Sequence, residues 1–194
     1  MELIFATQNI NKAKEIQALV PKTIAIKTLQ EIGCNEDVPE TAPTLEGNAK
    51  QKSDYVFEHY KVNCFADDTG LEIDVLNGEP GVFSARYAGP QRDSNDNMDL
   101  VLKKLKGNSN RKARFKTVIS LILNGENHTF EGVVNGTIIE EKSGMEGFGY
   151  DPIFKPDGFD STFSEMSMED KNSISHRGIA VRKLVEFLSN KVSY

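Results

Sequence analysis

Two adjacent carboxylates stand at the end of an apolar run, in Phe65-Ala66-Asp67-Asp68-Thr69-Gly70-Leu71-Glu72. Neighbouring strand residues point to opposite faces, so Asp67 and Asp68 cannot share one task. One can face a cleft and hold a metal or a water, while the other anchors what the pattern predicts to be a Gly turn. Unpaired carboxylates are costly to desolvate, and a divalent cation is a common compensation. Asp68 is the first candidate for that role. Glu40 and Glu46 follow, one in the loop before a long helix and one in its first turn. Two or three oxygens with retained waters suffice for Mg²⁺.

Four further groups carry possible chemistry. Thr7-Gln8-Asn9-Ile10-Asn11-Lys12 lies at a strand-to-helix turn, where free amides, the positive helix end and a lysine outline a phosphate cradle. Asn48 and Lys52 are spaced i, i+4 and read as a solvated face as readily as a ligand surface. Gly147-Phe148-Gly149-Tyr150-Asp151-Pro152 allows close backbone approach and offers rings for stacking. Lys171, Ser173, Ser175, His176 and Arg177 surround a helix start, where cations are disfavoured unless a phosphate or a purine carbonyl compensates them. There is no Walker A loop, H-E-x-x-H or C-x-x-C. The groups together describe a Mg-nucleotide site.

These groups need elements to position them. Leu3–Ala6 reads as a buried strand, followed by a helix with Ala13, Ile16 and Val20 on one face and Pro21 as its stop. A strand is predicted over 23–29, and a helix from a Thr44 cap to about Tyr60. The strand at 63–67 resumes after the turn, at Leu71–Leu76. A helix is predicted over 93–105 with Met98, Val101, Leu102 and Leu105 inward. Strands at 115–123 and 129–134 flank the hairpin signal Asn124-Gly125. Asn135-Gly136 is expected to bulge or turn, and a last helix runs from about His176 to Leu188. The expected fold is α/β. It is one 1–194 domain with a mixed twisted sheet, flanking helices and two lobes around a central nucleotide-binding cleft.

Composition narrows the function. The 194 residues carry 23 basic and 29 acidic side chains, a net charge of −6 that opposes wrapping a polyanionic nucleic acid. No run approaches the ~18 apolar residues of a membrane span. Met1–Asn9 has no basic-then-apolar pattern of a signal peptide, and Cys34 and Cys64 lack metal spacing. A cytoplasmic protein with free thiols is expected.

The motifs resemble one family, the inosine/xanthosine triphosphate pyrophosphatases, which hydrolyse deaminated purine nucleoside triphosphates. The matching segments are Thr7-x-Asn9-x-x-Lys12, Pro39-Glu40-Thr41, Thr44-x-Glu46-x-Asn48-Ala49-x-x-Lys52 and Ala66-Asp67-Asp68-Thr69-Gly70-Leu71. Further on come Pro80-Gly81-x-x-Ser84-Ala85-Arg86-Tyr87, Gly147–Pro152 and Ile174-Ser175-His176-Arg177-Gly178. The resemblance implies that Asp68 activates water and binds Mg²⁺ with Glu40. It implies that Thr7, Asn9, Lys12, Thr69 and Lys171 hold the triphosphate. It further implies that Phe148 stacks on the base in a pocket shaped by Gly149, Tyr150 and Asp151, and that His176 and Arg177 reach the purine 6-keto oxygen. A homodimer is implied as well. Gln8 stands where many members carry Gly, and Thr69 where many carry Ser. A pyrimidine triphosphate pyrophosphatase and a non-catalytic nucleotide sensor are the rival readings. The Ser175-His176-Arg177 motif argues against the first, and Asp68 with Glu40 against the second.

Overall fold

Strand β1 (Glu2–Phe5) passes through the Thr7–Asn9 turn into helix α1 (Ile10–Leu19). The computed structural model describes residues 1–192. Asn9 caps α1, its side-chain oxygen accepting the amides of Asn11 at 3.0 Å and Lys12 at 3.2 Å. Strand β2 (Ala25–Thr28) follows, and helix α2 (Leu45–Tyr60) starts from the Thr44 cap that the sequence predicts. Then come β3 (Cys64–Ile73), α3 (Ser94–Lys104), β4 (Lys112–Leu123), β5 (Glu126–Ile138), β6 (Phe154–Pro156), α4 (Met168–Ile174) and α5 (His176–Val192). Asn124 and Gly125 both take positive φ, 52° and 85°, as a tight two-residue hairpin demands.

The strand order is β2-β1-β3-β4-β5-β6. β1 is parallel to β2 and to β3, and β5 is antiparallel to β6, so the sheet is mixed as expected. The chain divides into two compact units. The first comprises residues 1–68, 117–132 and Arg177 onward, and the second residues 69–116 and 133–176.

In the first unit, strand alternation sorts the core into two layers. Leu3, Phe5, Phe65, Ile119 and Leu121 pack with Ile16 of α1 and Ala180, Val181, Leu184 and Leu188 of α5. Ile4, Ala6, Cys64, Ala66 and Ile122 pack with Val56 of α2. Phe5 and Phe65 pair in register and stack at 4.6 Å. Both are fully buried, each contributing about 1.5–3 kcal/mol. The second unit buries Leu71 and Ile73 of β3 against Met98, Val101 and Leu105, the face predicted for α3, with Phe115, Phe154 and Phe163.

Two local expectations are corrected, and one helix was not anticipated. β3 runs unbroken through Thr69-Gly70, without the predicted turn, and the Leu71 amide is satisfied by Ser84 Oγ at 2.9 Å. β5 likewise runs through Asn135-Gly136. Gly136 is needed there because a Cβ would collide with the Lys155 carbonyl of β6. The short helix α4, with its Ser167 cap, lay in a segment too polar to show a clear period.

Candidate active site

The β3 alternation sends each carboxylate to a different helix layer. Asp67 continues the Phe65 side, toward α1 and α5. Lys12 of α1 donates to Asp67 Oδ1 at 3.0 Å, and Arg177 of α5 reaches Oδ2 at 3.4 Å. Arg177 also pairs with Glu15 of α1. Asp67, Glu15 and Arg177 are all buried. Burial pushes the Asp67 carboxyl up, but Lys12, Arg177 and Lys52 outweigh it, and its pKa ends below the usual carboxylate range. Burial lowers Lys12, and Lys52 and Arg177 add to this against the pull of Asp67, so its pKa is depressed.

Asp68 continues the Ala66 side, toward α2. Asn48 donates to its Oδ2 at 3.0 Å, and the Lys52 ammonium lies 3.7 Å from Oδ1. Lys52 also donates to Glu40 Oε1 at 2.5 Å and to the Asp67 carbonyl at 2.7 Å. Burial raises the Asp68 pKa, Lys52, Lys12 and Asn48 offset this only in part, and Glu40 adds to the rise. The resulting carboxylate accepts a proton more readily than an ordinary aspartate. Lys52 is itself pushed down by burial, but Asp68, Asp67 and Glu40 carry its pKa above the ordinary value. Asn48 and Lys52 are buried neighbours of Asp68, not the solvated face that their spacing also allowed. Their i, i+4 repeat inside the motif was the available signal.

Glu40 and Asp68 thus converge on one ammonium. Among the described residues no group of three or more His, Cys, Asp or Glu side chains makes a ready-made metal cage. Two hard carboxylate oxygens with retained waters nevertheless fit the habit of Mg²⁺, and these two carboxylates are the donors present. Glu46, the other candidate, begins α2 and is exposed.

The phosphate turn differs from its expectation in detail. The amides of Asn11 and Lys12 are occupied by Asn9, and the Asn9 amide is held by Thr7 Oγ1 at 3.1 Å. A phosphate would compete with these internal bonds. The Gln8 side-chain amide donates to the Glu36 carbonyl at 3.1 Å. Ile10 and Asn11 are exposed. Thr69 follows Asp68 on β3 and is half-buried.

The second unit gathers Phe148, Asp151 and Lys171. The Asp151 carboxylate folds back onto the Phe148 amide at 2.8 Å and pairs with the Lys171 ammonium at 2.7 Å. Gly147, at φ 77°, leaves room for this, because a Cβ would strike the Asp151 carboxylate. The Lys171 ammonium also lies 4.9 Å from the Phe148 ring centre. Gly149 takes φ 64°, and buried Tyr150 donates to the Ser84 carbonyl at 2.7 Å. The structure therefore places Lys171 with the Phe148 ring and Asp151. His176 stacks its ring on Phe115 at 4.6 Å and 14°. Its sequence neighbour Arg177 instead commits its guanidinium to Glu15 and Asp67. Glu15 was missed in the sequence, where a lone glutamate on a short helix gives no sign of burial.

The Ham1 family model matches residues 3–187. A dITP/XTP pyrophosphatase of Flavobacterium psychrophilum is 56% identical over 190 residues, covering 98% of this chain and all of its relative. The Bacillus subtilis protein of the same name is 44% identical over 191 residues, covering 96% of each chain. Among solved structures, the Staphylococcus aureus Ham1 protein superposes with a TM-score of 0.90 at 38% identity, covering 98% of this chain and 100% of that one. Family model, relatives and fold agree over nearly the full length, and the chain belongs to the Ham1 family.

Proposed function

We propose that this chain hydrolyses deaminated purine nucleoside triphosphates (dITP, ITP and XTP) to the monophosphate and pyrophosphate, with Mg²⁺ as cofactor. The relatives named dITP/XTP pyrophosphatase support the substrate class. The observation that carries the chemistry is Asp68, fixed by Asn48 beside Lys52, sharing that lysine with Glu40, with its proton affinity raised.

In this reading Asp68 takes the proton of the water that attacks the α-phosphorus. Asn48 holds the carboxylate in one orientation, and Lys52 and Lys12 supply positive charge for the phosphate oxygens. Glu40 and Asp68 would hold Mg²⁺, which when bound supplies charge neutralisation for the departing pyrophosphate and acidifies bound water. Most of the acceleration is positioning and preorganised charge. Phe148 offers its face to the base. Donors from His176 and Arg177 match the O6 acceptor of hypoxanthine or xanthine, whereas the amino group of adenine would leave them unpaired, a mismatch that can cost about 10⁴-fold. Arg177 must leave part of its carboxylate pairing to make that contact. The reading includes a homodimer in a reducing cytoplasm. Among the described residues no helix is long and apolar enough to cross a membrane.

The deciding experiment is pyrophosphate release across dITP, ITP, XTP, GTP, ATP and pyrimidine triphosphates, with Mg²⁺ and with EDTA. The expected result is Mg-dependent release with highest kcat/KM for the deaminated purines. Equal rates on ATP, or release undiminished by EDTA, would overturn it.

A further inference from the structure

The loop that carries Glu40, residues 33–43, has no regular backbone ladder beyond the short turn that leads into it. Side chains hold it instead. Toward α2, the Thr41 amide donates to Gln51 at 2.9 Å, the Ala42 amide donates to Asn48 at 2.9 Å, and Lys52 takes Glu40. These bonds fix the loop after Glu40. Before it, the grip falls on Glu36. The Gln8 amide donates to the Glu36 carbonyl at 3.1 Å, and the Tyr55 hydroxyl donates to the Glu36 carboxylate. Gln8 belongs to the turn that starts α1 and Tyr55 to α2, so Glu36 ties both elements to the loop.

From this geometry we infer that Gln8, Glu36 and Tyr55 form a clasp that positions Glu40 for the metal. The inference rests on Glu40 and Asp68 being the metal carboxylates. Gln8 and Tyr55 both bond to Glu36, four residues before Glu40, so both act through the loop. A glycine at position 8 could not make this bond, because it has no side-chain amide. Residue 8 thereby gains a role in fastening the loop, distinct from phosphate contact.

The test compares wild type, Gln8→Ala, Tyr55→Phe and the double variant, with Glu58→Gln on the exposed side of α2 as control. Metal affinity is read on nucleotide-free protein by Mn²⁺ titration with electron paramagnetic resonance. Loop opening is read as the rate of cleavage after Glu36 and Glu40 by a glutamate-specific protease. Removing one exposed hydrogen bond predicts Mn²⁺ affinity weakened roughly threefold to tenfold, with cleavage accelerated in similar measure. In Tyr55→Phe the Mg²⁺ concentration for half-maximal activity rises with it, while kcat at saturating Mg²⁺ stays near wild type. Unchanged Mn²⁺ affinity and cleavage in the double variant would overturn the clasp, as would a fall in the kcat of Tyr55→Phe that saturating Mg²⁺ does not restore. If wild type releases no pyrophosphate, the proposed function falls, and the cleavage rates still decide the clasp: equal rates in wild type and double variant overturn it.

Discussion

On the α1 and α5 side of β3, Asp67 is buried and enclosed by Lys12 at 3.0 Å and Arg177 at 3.4 Å, and its pKa falls. On the α2 side, Asp68 keeps 13% of its side chain exposed, its nearest cation is 3.7 Å away and shared with Glu40, and its pKa rises. The two residues have the same chemistry and adjacent positions. What differs is the number of cations each must satisfy. Where cations enclose the carboxylate, ionisation is compulsory and the group becomes structure. Where burial outweighs a lysine shared with a second carboxylate, which adds to the rise, the carboxyl is ionised less readily than an ordinary aspartate.

The comparison is tested first by Asp68→Asn. Turnover should fall by about 10²–10⁴-fold, the usual contribution of a positioned base. The metal-free variant should nevertheless be more stable than wild type at pH 7, because a carboxyl with a raised pKa is held ionised at a cost. A thermal melt in EDTA beside an activity assay reads both, and a variant that loses stability would break the distinction. Asp67→Asn comes next. Removing the charge leaves half-buried Lys12 and buried Arg177 with one carboxylate fewer, a loss of about 3–5 kcal/mol in urea unfolding. Stability equal to wild type would mean that Asp67 is not the structural member of the pair.

Acid titration separates the two more finely. The folded pKa of Asp67 lies below its unfolded value of about 3.9, so its stabilisation is present above that value and lost as pH falls through the folded one. Asp68 has the opposite sign: its destabilisation is absent at low pH and appears as pH rises from about 4 through its raised folded pKa. Asp67→Asn should therefore flatten the acid limb of stability, and Asp68→Asn should steepen the net rise with pH. The smallest effect concerns Cys64, buried on the Asp68 side of the sheet, where burial pushes its thiol up to about 12. It should resist alkylation at pH 8 in the native protein and react once unfolded.

Legibility in the sequence followed the strength of periodic and capping signals. α2 and its Thr44 cap, the inward face of α3 and the Asn124-Gly125 hairpin were readable because local chemistry and burial agree there. The interruptions expected at Gly70 and Gly136 were not found, because glycine marks a turn or a close approach equally well and only the neighbouring strand decides between them. That Asp67 and Asp68 point to opposite faces was readable from alternation alone. Which helix each one faces was not, because that depends on contacts such as Asp67 with Arg177, 110 residues apart. The buried state of Asn48, Lys52 and Glu15 was hidden for the same reason: polar residues on a helix look alike until the partner strand is placed.

The parallel pairing of β1 with β3 acquires a significance beyond packing. It holds Ile4 opposite Cys64 and Phe5 opposite Phe65. A slip of one residue would exchange the faces of Asp67 and Asp68, delivering Asp68 to Lys12 and Arg177 and Asp67 to Asn48 and Lys52. The stacked phenylalanines therefore act as a proofreading tooth for the chemistry two and three residues downstream. A frame error there would leave composition, charge and strand length untouched and would still abolish the enzyme.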